Sequence, residues 1–196
     1  GFALAQAAVE AGAKVTLIAG PVDLPTPDRV NRIDVISASD MLKAVKSVVP
    51  STTLFIASAA VADFRPATSA DQKIKKTRDS ETMTLEMVKN PDILATVANA
   101  DNAPFTVGFA AETEDLIPHA RDKLVRKGIN MIVVNDVSRE DIGFASNTNE
   151  VTVLFNPAST QHLAYHLESD PIHIDKCDKQ HLARRLIELI ASQQTP

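Results

Sequence analysis

FTVGFAAETEDLIPHARDKLVRKGINMIVV, residues 105–134, decides the fold. Phe105–Ala111 is a compact apolar run of strand length. Glu114–Lys127 then has helical spacing, with Pro118 tolerable near the first turn and Gly128 placed as a left-handed stop. Ile129–Val134 is again continuously apolar, so the stretch spells strand, helix, strand. Such a unit belongs to a parallel sheet with its helix packed across one face.

The same rhythm extends in both directions. Upstream, Gly1–Ala13 reads as a helix ending near Gly12, and Lys14–Ala19 as a strand. Ile33 and Val35 mark another strand. Ser37–Val49 is a helix capped by Ser37 or Ser39, with Met41, Leu42, Val45, Val48 and Val49 at helical spacing. Leu54–Val61 is a further strand. Asn90-Pro91-Asp92 opens a helix, with Asn90 as its expected cap and Pro91 in the first helical position. Downstream, Glu150–Phe155 is a strand and Lys179–Ser192 a closing amphipathic helix. The expectation is one Rossmann-like domain over residues 1–196, a mostly parallel sheet with helices on both faces. Ligands of such sheets lie beyond the carboxyl ends of the strands.

One stretch departs from this pattern. Lys73–Lys76 and Thr82–Met87 read as the two arms of a β-hairpin, a flap or dimerisation arm. Met83, Leu85 and Met87 alternate with polar residues, which gives the second arm one apolar face. A lone hairpin is marginal, so that face needs cover from its own domain or from a second subunit. Residues 156–171 are irregular.

Composition narrows the function. The chain has 196 residues, 44% hydrophobic and 23% charged, an ordinary soluble balance. A formal net charge of −5 argues against a general nucleic-acid binder but leaves room for a small anionic ligand. Cys177 is the single cysteine, which excludes an internal disulfide and a cysteine-based zinc site and fits a cytoplasmic protein. No apolar run is long enough to span a bilayer. Gly1 starts in what reads as a helix already under way, so a domain truncated at its N-terminus is expected.

Two strand ends carry the chemistry. In Ala57-Ser58-Ala59-Ala60-Val61-Ala62-Asp63 small side chains admit a ligand to the backbone and Asp63 adds a charge; packing alanines and a turn cap would look the same. In Val107-Gly108-Phe109-Ala110-Ala111-Glu112-Thr113, Gly108 and the alanines permit close approach, and Phe109 is either a stacking face or core. Lys73 and Lys75 share a strand face opposite Lys76; they could close over a polyphosphate or simply protect an edge. Lys123 and Lys127 stand one helical turn apart. His162 and His166 have metal-pair spacing with no third ligand nearby.

AAVADFRP (59–66), KIKK (73–76), KNPDIL (89–94), GFAAET (108–113) and VNDVS (134–138), in this order, resemble the phosphopantothenate–cysteine ligase family. The resemblance implies CTP-dependent joining of 4′-phosphopantothenate to L-cysteine through an acyl-cytidylate, in coenzyme A biosynthesis, with Mg²⁺. Bacterial members are usually the C-terminal half of a bifunctional protein whose other half is an FMN-dependent decarboxylase. The family's first strand and phosphate loop would precede Gly1. Carried over, Ala57, Ser58 and Ala59 line the nucleotide, and Asp63 holds it, with the metal a second role. Lys73 on a flap meets the phosphates as the catalytic cation. Pro91, Asp92, Ile93 and Leu94 offer a helix N-terminus, and Phe109, Lys123 and Lys127 complete the pocket. Ligases of this family are dimeric, so a homodimer is expected.

A nicotinamide-dependent oxidoreductase is the rival reading of the same architecture. Against it, Tyr165 has Ser169 four residues on instead of lysine, and Gly20-Pro21 follows the first strand where an acidic residue is common. A non-catalytic interaction module is the third reading.

Overall fold

The computed structural model describes residues 1–70, 72–74, 82–112, 115–136, 147–158 and 171–194. Alternating side chains build its centre. β6 (Phe105–Glu112), β7 (Met131–Asp136) and β8 (Thr148–Phe155) are adjacent strands whose odd-numbered residues Val107, Met131, Val133, Val151, Val153 and Phe155 pack on one side. There they meet Leu4 and Ala7 of α1 (Phe2–Glu10) and Leu182, Leu186 and Ile190 of α5 (Lys179–Ser192). Ala110, Ile132, Val134 and Leu154 pack on the other side, under Ala120 and Leu124 of α4 (Leu116–Lys127). The period of two along each strand thus gives two apolar faces, and helices cover both.

β3 (Leu54–Ala57) flanks β6, and β9 (Ile172–Asp178) flanks β8, completing the order β3-β6-β7-β8-β9. β3, β6 and β7 are parallel, as expected, and β8 and β9 run antiparallel to their neighbours. The sheet is therefore mixed instead of mostly parallel. β9 was not anticipated, although Ile172 and Ile174 alternate with His173 and Asp175. β1 (Thr16–Ala19) and β2 (Asn31–Asp34) form a separate parallel pair.

α2 (Ala38–Val48) starts at Ser37, which settles the choice between Ser37 and Ser39. The Ser37 hydroxyl accepts from the Asp40 N–H at 3.1 Å, and the Asp40 carboxylate accepts from the Ser37 N–H at 3.2 Å. α4 ends as expected, on Gly128 at φ 69°.

Three expectations are corrected. The helix after β5 (Met87–Lys89) is α3, Ile93–Ala98, and its cap is Asp92, which accepts from the Ala95 N–H at 3.0 Å. Asn90 is not the cap because its side chain is engaged elsewhere, and Pro91 precedes the helix. The strand expected over Leu54–Val61 stops at Ala57, where its pairing with β6 ends at Gly108. The alanines beyond bring too little apolar area to hold it on the sheet.

The hairpin is also redrawn. β4 (Phe64–Pro66) pairs antiparallel with β5, Phe64 opposite Lys89 and Pro66 opposite Met87. Lys73, Ile74 and Thr82–Glu86 lie outside any strand. The ribbon forms where Phe64-Arg65-Pro66 supplies a partner, and the segment carrying Lys73 is the excursion between its arms.

Candidate functional site

α1 runs back from the carboxyl edge of the parallel strands, so its first residues return to that edge. A Cβ built on Gly1 would lie 3.2 Å from the Ser58 Oγ, which places the start of α1 beside the exit of β3. Arg32 on β2 holds the segment after β1 to the same end. Its guanidinium donates to the carbonyls of Leu24 at 2.7 Å and Val22 at 3.3 Å, pairs with Asp34 at 2.7 Å and lies 5.4 Å from the Phe2 ring centre. Three chain segments therefore converge there: the start of α1, the exit of β1 and the exit of β3.

Ala57 and Ser58 are half-buried at that exit, and Ala59 and Asp63 are exposed. The segment is tied down by Asn90, which is 8% exposed. The Asn90 N–H donates to the Asp63 carbonyl at 2.7 Å, and its side-chain amide donates to the Ala62 carbonyl at 2.8 Å. Arg65 donates to the Asn90 Oδ1 at 3.1 Å and to the Lys89 carbonyl at 3.0 Å. Sequence reading assigned Asn90 to a helix cap and gave Arg65 no role. The Asn-Pro pair signals a turn but not its distant partners.

Directly after Asn90 come Pro91, Asp92, Ile93 and Leu94. Asp92 reaches the Lys127 Nζ at 2.9 Å from its second oxygen. Burial pushes the Asp92 carboxyl up, but the Ala95 N–H and Lys127 outweigh it and leave its pKa below the ordinary 3.8. The pair therefore persists through neutral pH and is lost as pH falls through that lowered pKa. Ile93 is buried with Val45 and Val97. Leu94 packs toward Gly108, where an added Cβ would meet the Leu94 Cδ2 at 2.8 Å and the Ile129 Cδ1 at 3.0 Å. Gly108 thus makes room for side chains of its own fold.

Asp63, Pro91, Asp92 and Lys127 are linked in this way through Asn90 and its neighbours. Lys123 is half-buried one turn before Lys127. Phe109 is not brought to the lysines: its half-buried ring packs on the α1/α5 side, whereas α4 lies on the opposite face. A ligand touching all of them has to pass over the strand ends. Lys73 is exposed. Lys75, Lys76, Thr113, Val137, Ser138, His162, His166, Tyr165 and most of 156–171 lie outside the described residues.

Among the described residues no group of three or more His, Cys, Asp or Glu could hold a metal. A phosphate-borne magnesium needs only one or two protein carboxylates, and Asp63 meets that requirement. Among the described residues no helix is long and apolar enough to cross a membrane. The groove between β9 and α5, lined by Ile174, Cys177, His181 and Arg185, lies at the sheet edge away from β3 and contains none of these residues.

The family model for the DNA/pantothenate metabolism flavoprotein C-terminal domain matches residues 1–193. The chain is 60% identical over 156 residues to the Coenzyme A biosynthesis bifunctional protein CoaBC of Vibrio cholerae, covering 79% of this chain and 39% of that protein. Against CoaBC of Escherichia coli K12 it is 50% identical over 151 residues, 76% of this chain and 37% of that protein. The chain thus spans well under half the length of these relatives. Its fold matches the crystal structure of the C-terminal domain of CoaBC with a TM-score of 0.74 and 31% identity, over 97% of this chain and 79% of that one.

Proposed function

Because the chain belongs to the DNA/pantothenate metabolism flavoprotein C-terminal domain family, we propose that it joins 4′-phosphopantothenate to L-cysteine in coenzyme A biosynthesis. The observation that carries this reading is the 60% identity to a CoaBC protein over 156 residues. The convergence of Ser58, Asp63 and Asp92 at the carboxyl edge supports it, since that is where such sheets take nucleotides.

A carboxylate is a poor acyl donor because its oxygen leaves badly. In the proposed first step a phosphopantothenate carboxylate oxygen bonds to the α-phosphorus of CTP, and the bond to pyrophosphate breaks. In the second, the cysteine amine bonds to the activated carbonyl, CMP leaves with that oxygen, and the amine loses a proton to give the amide. Ala57, Ser58 and Ala59 let the nucleotide approach the backbone, Asp63 and the Pro91–Leu94 segment hold it, and Lys73 neutralises charge on the phosphates. Magnesium, when bound through Asp63 and the phosphates, supplies further charge neutralisation. The Asp63 carboxylate is exposed, which suits it to this role.

Three further parts belong to the same reading. FMN serves a separate decarboxylase domain of the whole cytoplasmic protein, which accords with the bifunctional names and partial coverage of the relatives. Among the described residues the edges of β1 and β3 away from β2 and β6 have no strand partner, and the family's first strand would suit the place between them as one more parallel strand. Phe64, Met83, Leu85 and Met87 are all large, apolar and exposed, which favours a homodimer covering the ribbon and its excursion. Light scattering at micromolar concentration should give twice the chain mass; a monomer overturns the dimer.

Nucleotide choice tests the function. In the full-length protein, pyrophosphate release should require phosphopantothenate, proceed without cysteine, and be far faster with CTP than with ATP. Equal release with ATP overturns the CTP assignment, and none with any nucleotide overturns the ligase.

A further inference from the structure

Asp63 sits between two peptide groups that a single residue holds. The carbonyl of Ala62 accepts from the Asn90 side-chain amide at 2.8 Å, and the carbonyl of Asp63 accepts from the Asn90 backbone N–H at 2.7 Å. Those two carbonyls belong to the peptide planes on either side of the Asp63 Cα. Fixing both planes fixes φ and ψ there and so aims the Cα–Cβ bond. Only the two side-chain torsions of Asp63 remain free.

The holder is itself held. Asn90 is 8% exposed, and its Oδ1 accepts from Arg65, which also donates to the Lys89 carbonyl. The next hydrogen bond out, Ala67 N–H to the Glu86 carbonyl at 2.8 Å, closes the ribbon where the excursion carrying Lys73 departs. One node thus supports both the Asp63 carboxylate and the base of that excursion. An amide is required, because the position needs a donor toward Ala62 and an acceptor toward Arg65.

We infer that Asn90, braced by Arg65, is a positioning residue of this site that aims Asp63 and thereby sets nucleotide recognition. The inference rests on the ligase reading and assigns recognition to a residue that touches no substrate itself. Asn90→Asp is the informative substitution. A carboxylate has nearly the same shape and still accepts from Arg65, but it turns a lone pair toward the Ala62 carbonyl where a donor was.

In the full-length protein, Asn90→Asp should lower kcat/KM for CTP about tenfold, the effect of one misplaced buried hydrogen-bonding group. The melting temperature should fall by several degrees, so rates are compared well below it. In an Asp63→Asn background the same substitution should cost less than about twofold, because the group it positions is already gone. Equal losses in both backgrounds, or parental activity for Asn90→Asp, overturn the inference. Should Asn90→Asp fail to fold, Arg65→Gln loosens the same brace and is held to the same comparison. Amide hydrogen exchange at residue 90 provides a readout independent of nucleotide chemistry. It should speed up about tenfold in Asn90→Asp as the bond to the Asp63 carbonyl weakens, and an unchanged rate overturns the clasp. If the parent consumes no CTP the ligase reading fails, and exchange alone decides whether Asn90 holds this segment.

Discussion

Lys73→Gln is expected to slow acyl-cytidylate formation roughly a hundredfold, about 3 kcal/mol of lost transition-state stabilisation. Nucleotidyl transfer concentrates negative charge on the α-phosphate and the departing pyrophosphate. An ammonium brought over them acts most strongly at that moment, so turnover should fall more than nucleotide binding. Lys73 is exposed and outside any strand, and its replacement removes no packing. The melting temperature should therefore hold. Lys46→Gln removes the same charge from the last turn of α2, outside the candidate site, and should leave activity intact. Single-turnover rates for both variants check the claim. A parental rate for Lys73→Gln would make Lys73 a solubilising residue of the excursion.

Gly108→Ala should act on stability instead. The new methyl would stand 2.8 Å from the Leu94 Cδ2 and 3.0 Å from the Ile129 Cδ1, closer than carbon atoms tolerate. Ile129 is wholly buried, so little room exists for it to yield. Overpacking of this kind costs about 1–3 kcal/mol. At about 2–4 °C per kcal/mol for a chain of this size, the melting temperature should drop by roughly 2–12 °C. Leu94→Val withdraws a methyl from the contact, so the loss caused by Gly108→Ala should be smaller in that background. The KM for CTP should be unchanged in Gly108→Ala. An unaltered melting temperature with a raised KM would return Gly108 to the role of a ligand-approach glycine.

The architecture was legible wherever apolar period and punctuation agreed. Phe105–Val134 announced β6, α4 and β7 because two apolar runs flank a helical pattern that ends at Gly128. The start of α2 was legible to within Ser37 or Ser39 because cap signals are local in sequence, and the bonds exchanged with Asp40 select Ser37. The parts that stayed hidden depend on distant partners. Nothing near Asn90 says that its amide reaches Ala62, so the familiar reading of Asn-Pro-Asp as cap and first turn displaced the correct one. Phe64–Pro66 is too short and too exposed to show a period, and β5 could not be registered without it. Gly108 followed by alanines reads as ligand access, and that Leu94 and Ile129 fill the space beside it shows only in the side-chain distances. Of the site residues, Asp63, Asp92 and Lys127 are gathered around the Asn90 segment. Phe109 was grouped with Lys123 and Lys127 although strand alternation turns its ring to the other face.

The most direct test of the ligase chemistry follows the oxygen that the substrate carboxylate must give up. Phosphopantothenate labelled with ¹⁸O in its carboxylate would be incubated with CTP, cysteine and magnesium and the full-length protein, and the nucleotide product weighed by mass spectrometry. If the carboxylate attacks the α-phosphorus and cysteine then displaces CMP, one ¹⁸O atom appears in CMP and none in pyrophosphate. Label in pyrophosphate or orthophosphate, or amide formed with unlabelled CMP, would contradict the acyl-cytidylate route.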